Sequence, residues 1–520
     1  MPKQKKDYLI QLVLSMTRAE KRHFRLFAKR NQSSEDILFL QLFDFIDKRK
    51  AFDEEAILQK IPSIKKQQLS NLKAHLYKQL LTSLRLLNKA TTLDIDIRES
   101  LDYARVLYNK GLYRQSLDML DKAKARALRI NANSLVLEIL EFEKHIESQY
   151  ITNSIENRAE GLAKECTHLA QVTVRTHALS NLALNLYGLY LRVGYVRNKK
   201  DYHFVKEYFF ANLPRYQYQD LGFYEKLYFS QSHVWYYHMT QDFPQCYRYC
   251  QRWVDIFREE PDMIAAQTPL YLKGCHNLLS TLFHLAHYEK FVEELALLER
   301  FPVEYPMNEV RNIEGLYQLY RYVHTIDKHY LEGTFTEGLQ LIPQLMEVIE
   351  SDEYNWDTHR ILVFYYRVAC LYFGSGDFDQ AIHYLNLIIN PKQPDFRADI
   401  QAFARILNLI AHFELGNSQL LEYQVKSLFR YLAKMEDLQQ VQKEIIRFLR
   451  RIPRMREAEL ANEFKDLKVK LEKIREDPLE RRPFLYLDII SWLDAKLADR
   501  PVQDIIRRKF LEKNPLRVSK

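Results

Sequence analysis

Apolar residues recur at helical spacing along almost the whole chain, and short bends interrupt them at intervals. In NKGLYRQSLDML a bend at Gly111 precedes an aromatic at Tyr113, a small residue at Ser116 and a large apolar residue at Leu120. GSGDFDQAIHYL repeats that order with Gly376, Phe378, Ala381 and Leu385. Looser copies put Tyr202, Phe243, Tyr288 and Phe335 in the aromatic slot, and successive slots lie 89, 41, 45, 47 and 43 residues apart. The first interval holds two units, with a degenerate copy near Ile155 to Ala159, and a last copy turns at Gly416. Self-similarity at this period predicts about eight helical hairpins between residues 95 and 435. Strand-like alternation is scarce, glycines number only 12, and the chain is dense in strong helix formers, so the fold class is all-α.

Residues 1–92 lack the recurring turn and form a separate helical module. Thr17 to Glu20 is a capping box that opens a helix running to Arg30. Helices follow near 35–48 and 53–60, the second opened by Asp53. After the break at Ile61-Pro62-Ser63 comes a long amphipathic helix, Lys65 to Lys89, with Leu69, Leu72, Leu76, Leu80, Leu84 and Leu87 on one face. The repeat array occupies 93–454. Pro244 falls in the first turn of its helix, where it is tolerated, whereas Pro343 falls inside a helical pattern and should kink or break it. From 455 to 520 the pattern becomes a charged helix, then a helix near Pro483 to Ala498 that caps the array with Phe484, Leu487, Ile490, Trp492 and Leu493, then a basic tail that frays from Arg500.

A chain of 520 residues exceeds what one compact core sustains, and stacked repeats escape that limit by burying surface only between neighbours. No uncharged run reaches the length of a membrane span, and no secretory signal is readable. Five cysteines, at 166, 246, 250, 275 and 370, do not make a disulfide framework and point to a reducing, cytoplasmic location. The net charge of +8 is unevenly placed. Residues 1–30 carry nine Lys and Arg against two acids, and residues 441–520 carry twenty-one against fourteen, so each end is +7 and the middle is −6.

Candidate chemistry is thin. Cys246 and Cys250 stand four apart, but in the repeat register they fill the small and large apolar slots, which is core packing. The pairs His233/His238, His284/His287 and His324/His329 form no metal-ligand motif, and no phosphate loop or nucleophile elbow is present. No catalytic, metal or cofactor site is assigned.

The bend, aromatic, small and apolar slots resemble those of tetratricopeptide repeats. In that family the small residue, here Ser116 or Ala381, lets paired helices approach closely. These units are longer than the family's period of about 34 residues, a feature shared with HEAT-like hairpins. The resemblance implies a right-handed superhelical solenoid of stacked antiparallel hairpins that binds protein or peptide and is not an enzyme. Extending the register places Arg98, Asp102 and Arg105, then Tyr187 and Tyr190, then Gln231 and Trp235 on an inner wall. Lys273, His276, Asn277 and Ser280 follow, then Tyr320, His324 and Asp327, then Tyr366 and Arg367. Tyr237 and Trp253 fall in the core. Lys273 and Asn277 have the spacing of the carboxylate clamp known in some tetratricopeptide proteins, but the following repeats offer Tyr320 with His324 and Val363 with Arg367, which leaves such a clamp incomplete.

The other reading concerns the amino-terminal module. Lys65, Lys66, Lys73, Lys78, Arg85 and Lys89 load its long helix with positive charge and no acid. A short helix, a turn and a basic helix is the layout of a helix-turn-helix, and such a surface suits nucleic-acid phosphates. Against it, the leucine face runs the full length of that helix, which suits burial along the array. Two functions are therefore expected: a peptide-binding scaffold, or a nucleic-acid-binding regulator with a repeat-based sensor.

Overall fold

The protein, seen in a computed structural model, is described over residues 7–30, 34–49, 54–88, 93–149, 158–196, 198–307, 310–390, 398–417, 424–425, 428, 440–452, 455–480, 484 and 488–514. The described residues are all-α and contain no strand. No helix among them is long and apolar enough to cross a membrane. Lys89, Asp53, Pro483 and Leu487 lie outside the described residues. The chain divides into two compact units, Met1–Ala170 and Gln171–Lys520.

The first unit holds α1 (Tyr8–Ser15), α2 (Arg18–Arg30), α3 (Ser34–Arg49), α4 (Glu54–Lys60), α5 (Lys66–Asn88), α6 (Leu93–Asn109), α7 (Tyr113–Arg129) and α8 (Asn133–Gln149). Its boundary falls inside α9 (Arg158–Val193). The capping box forms at α2: the Glu20 carboxylate accepts from the Thr17 N–H at 2.7 Å, and the Glu20 N–H donates to the Thr17 hydroxyl at 3.2 Å. Two separate apolar cores lie within this unit, one built from residues 9–84 and the other from residues 93–169. The leucine face of α5 was expected to lie along the array. Instead Leu69, Leu76 and Leu80 join Phe24, Phe39 and Phe43 in the core of the amino-terminal module, because α2 and α3 present that aromatic surface close at hand.

The second unit continues with α10 (Lys199–Asn212), α11 (Phe223–Met239), α12 (Phe243–Glu259), α13 (Asp262–Ala266), α14 (Thr268–His284) and α15 (Tyr288–Glu304). Then come α16 (Arg311–Glu332), α17 (Phe335–Gly338), α18 (Ile342–Glu350), α19 (Thr358–Ser375), α20 (Phe378–Ile389) and α21 (Ala398–Glu414). The chain closes with α22 (Gln440–Arg451), α23 (Glu457–Arg475), α24 (Ile489–Ala498) and α25 (Val502–Lys513). Neighbouring helices such as α11 and α12, α14 and α15, and α19 and α20 pack on one another. Pro343 does break its helix: a 3-10 turn, Leu339–Leu341, separates α17 from α18.

The recurring bend has one geometry. Gly111, Gln241, Ala286, Gly333, Gly376 and Gly416 all take positive φ. At each, the next N–H reaches back to a carbonyl near the end of the preceding helix. These bonds run from Leu112 to Leu107, Asp242 to Tyr237, His287 to Leu282, Thr334 to His329, Asp377 to Tyr372 and Asn417 to His412, all at 2.9–3.1 Å. This is the Schellman motif, which satisfies carbonyls that a helix end leaves orphaned. The copy at Tyr202 departs from it: Gly194 takes the positive φ, and Asn198 caps α10 by accepting from the Asp201 N–H at 2.8 Å.

The small slot explains how closely the helices meet. The Ser116 hydroxyl donates to the Ala104 carbonyl at 2.8 Å, and the Cys246 thiol meets the Val234 carbonyl at 3.8 Å. Cys246 and Cys250 are both buried and share Thr281 as a neighbour, at 3.6 and 3.7 Å. Opposite the aromatic slot of Phe335, a Cβ at Gly374 would lie 2.3 Å from the phenyl ring, so no side chain fits there.

At the carboxyl-terminal end the described helix begins at Ile489. Trp492 is buried among Phe413, Phe448 and Phe464, and its indole donates to Glu414 at 2.6 Å. The tail beyond Arg500 does not fray at once, since Val502–Lys513 is helical with Ile505 and Phe510 buried. Phe510 meets the Tyr288 ring at 4.7 Å, and Arg507 donates to the Glu332 carbonyl at 3.1 Å. The backbone of Arg507 comes so close to Gly333 that a Cβ there would lie 2.4 Å from it.

Ala286 is the bend where the residue type opposes the backbone, with φ 52° and no polar side chain to compensate. A left-handed conformation costs an L-residue about 1–2 kcal/mol, part of which glycine returns as unfolded-chain entropy. Ala286→Gly should therefore stabilise the protein by about 0.5–1 kcal/mol, read as a higher urea midpoint. Gln241→Gly should gain less, because the Gln241 amide donates to the Val196 carbonyl at 3.2 Å. Equal gains at both bends would count against this account.

Candidate functional site

Helices α9, α11, α14, α16 and α19 carry the residues assigned to the inner wall of the second unit, and their side chains form one continuous line. The Trp235 ring lies 4.9 Å from Tyr187 and 5.3 Å from Tyr190. The Lys273 ammonium sits over both faces of this cluster, 5.3 Å from the Tyr187 ring and 5.6 Å from Trp235. One helical turn on, His276 stacks on Tyr320 at 4.3 Å and meets His324 at 2.9 Å. His324 meets Asp327 at 3.1 Å, and Asp327 pairs with Arg367.

The hydrogen-bond directions in this relay follow from its one fixed acceptor. Asp327 is held below the usual carboxylate range: burial opposes its ionisation, but the Arg367 guanidinium and His324 outweigh it. An ionised Asp327 accepts from His324 Nδ1–H, which leaves His324 Nε2 to accept from His276 Nδ1–H. Burial, reinforced by His324 and Arg367, holds His276 well below the ordinary histidine value, so both rings stay neutral. Burial works against the Arg367 charge too, yet Asp327 keeps it above its ordinary range. His324 and Asp327 are fully buried, and Trp235, Gln231, Tyr320 and Tyr366 are buried too. The register assigns these residues to an inner wall; they are buried and join helices instead, because their neighbours on adjoining helices cover them.

What remains at the surface is narrower. Tyr187 is 36% exposed and belongs to an apolar stripe on α9, with Leu184 at 67% and Leu191 at 57%. Lys273 is half-buried, and among the described residues its ammonium has neither an acid partner nor a hydrogen-bond acceptor. Burial, followed by the charge of Arg360, holds it below the ordinary lysine range. Asn277 donates back to the Lys273 carbonyl at 2.8 Å, so its amide is engaged within its own helix. Arg360, in the first turn of α19, pairs with Asp357 at 3.3 Å, and its charge is felt at both Lys273 and Tyr320. Sequence register had a signal for it: Arg360 lies seven before Arg367 and three before Val363, on the same face.

The other assigned residues belong to the first unit. Arg98 and Asp102 are exposed, with Arg98 paired to Asp94 at 3.2 Å. Arg105 pairs with Glu138 at 2.8 Å. Lys65, just before α5, and Lys66, Lys78 and Arg85 on it are exposed, while Lys73 pairs with Asp7. Among the described residues, no group of three or more His, Cys, Asp and Glu is placed to hold a metal ion.

A second aromatic cluster flanks the line. His233 is buried between Phe209, Phe229 and Tyr249, stacks on Tyr249 at 4.1 Å, and donates from Nδ1 to the Phe229 carbonyl at 2.8 Å. Burial pushes its pKa down to about 4. A histidine whose folded value is depressed contributes stability that is complete above its unfolded value and lost as pH falls toward the folded one. Stability should therefore fall between about pH 6.5 and 4, by on the order of 3 kcal/mol from His233, with His276 and His324 acting in the same direction. Urea titrations across this range should show a shallower loss for His233→Phe, and an unchanged slope would remove His233 as a contributor. Comparison of the chain with protein-family models, with curated proteins and with solved structures returned no match.

Proposed function

We propose that this protein is a non-catalytic interaction scaffold whose hairpins stack as a right-handed, tetratricopeptide-like array and hold a segment of a partner protein along one helix face. The observation that carries this reading is the line of side chains from Tyr187 to Lys273, where successive helices align polar and aromatic groups beside the exposed α9 stripe. Aligned pockets on stacked helices suit an extended or helical segment. The buried relay argues for scaffolding over catalysis. Its carboxylate is neutralised by Arg367 and its terminal His276 is a weakened base, so it supplies little of what proton transfer needs. Five unpaired cysteines fit a reducing, cytoplasmic setting.

A photo-crosslinking residue at position 187 tests this. In native cells it should trap a partner protein, while the same residue at exposed Leu297 on α15 should not. Equal trapping at both sites, or none at 187, would overturn the reading.

A second reading keeps one observation of its own. The Lys65, Lys66, Lys78 and Arg85 side chains on and just before α5 are exposed and have no acid partner among the described residues. If this face binds nucleic-acid phosphates, gel shifts should appear at low salt and weaken steeply as salt rises. No shift at low ionic strength would remove this second reading.

A further inference from the structure

Among the described residues of the line, Lys273 carries a charge that meets no acid. Arg367 is matched by Asp327, and Arg175 by Glu225 at 2.6 Å, whereas the Lys273 ammonium meets only the rings of Tyr187 and Trp235. Both rings present their negative faces, which hold the cation in place without neutralising it. Burying a charge without a partner is costly, and a chain that bears that cost keeps the charge available for something else. On α11, Gln231 is only 6% exposed, lies one turn before Trp235 on the same face, and has an amide nitrogen with no hydrogen-bond partner among the described residues. A cation and an unspent donor beside an exposed apolar stripe make a complementary surface for an anion attached to an apolar body.

We propose that Lys273, with Tyr187 and Trp235 around it, binds a single carboxylate from an internal Asp or Glu of a partner segment, whose neighbouring apolar side chain packs on Leu184, Tyr187 and Leu191. This deepens the scaffold reading and rests on it. One carboxylate is the right complement, not two, because Arg360 is already partly offset by Asp357 and the Asn277 amide is turned onto its own helix. Arg360 contributes long-range attraction rather than a second seat. The ligand is a side chain within a segment rather than a chain terminus because the aromatic and apolar contacts extend along α9 past the cation, which calls for residues continuing beyond the acid.

The test uses the full-length protein and a pool of randomised short peptides, acetylated and amidated so that no terminal charge remains. Peptides retained by immobilised protein are sequenced by mass spectrometry. Retained peptides should be enriched in Asp or Glu next to Leu, Phe or Tyr. Lys273→Met should abolish the acidic enrichment and weaken an individual selected peptide roughly tenfold, about the worth of one charge-assisted contact. Circular dichroism should show an intact fold, since the substitution removes an uncompensated charge while keeping the aliphatic stem. Should that variant misfold, Arg360→Gln and rising salt serve as the second measurement, and both should weaken acidic peptides more than their Gln counterparts. Retention without acidic enrichment, or enrichment unchanged in Lys273→Met, would overturn the carboxylate proposal and leave the scaffold reading standing. Retention of no peptide would overturn both.

Discussion

At each hairpin of the recurring type, one residue must enter the left-handed region of backbone space. That requirement is what the rest of the architecture depends on. The positive φ at Gly111, Gln241, Ala286, Gly333, Gly376 and Gly416 allows the following N–H to close back on the preceding helix, so two helices meet with their orphaned carbonyls satisfied and their rotational register fixed. The aromatic slot then stands at a constant distance from the bend, and the small slot at a constant distance from the aromatic. Ser116 and Cys246 consequently meet backbone carbonyls that lie twelve residues before them in their own hairpins. Four of the six bends use glycine, and Ala286 accepts the strain without it, which shows that packing of the hairpin outweighs a penalty of about 1–2 kcal/mol at a single residue.

Fixing the register of each hairpin also fixes which residues of successive helices meet. Trp235, Lys273, His276, Tyr320, His324, Asp327 and Arg367 come from four different helices, yet contacts link them across each helix pair. A buried chain of this kind does little for net stability, since desolvating Asp327 and Arg367 costs about what their attraction returns. Its effect is on specificity. A slip of one helix against the next would leave a buried charge without its partner, at about 3–5 kcal/mol. The relay therefore locks the alignment that keeps Lys273 beside Tyr187 and Trp235.

Much of this was legible in one dimension. The bend and its slots located the hairpin turns, Thr17 and Glu20 announced their capping box, Pro343 announced a break, and Trp492 stood out as an apolar residue in a helix that packs. Register also grouped residues that share contacts, among them Tyr187, Trp235, Lys273, His276, Tyr320, His324, Asp327 and Arg367. What register could not supply was depth. Whether His324 faces solvent or lies under its neighbours depends on His276 and Arg367, more than forty residues away in sequence, and periodicity within a single helix carries no such information. The same blindness hid the docking of Phe510 onto Tyr288, which turned an apparently fraying tail into a packed helix. It also sent the leucine face of α5 to the wrong surface, since amphipathicity says that a face is buried and not by what.

The long period follows from helix length, and helix length has a consequence for the site. The helices of the central hairpins, α11, α12, α14 and α15, are each 17 residues long, and α16 extends to 22. At 1.5 Å per residue, each offers a face of about 25–33 Å. A face of that length has room for two functions in series. One turn of α14 places His276 in the interior relay, and the turn before it places Lys273 at the half-buried edge. A shorter helix would have to choose between locking its neighbours in register and presenting a charge. Here the turn that locks the helices holds the next turn steady, so the Lys273 ammonium is positioned by interactions that do not consume it.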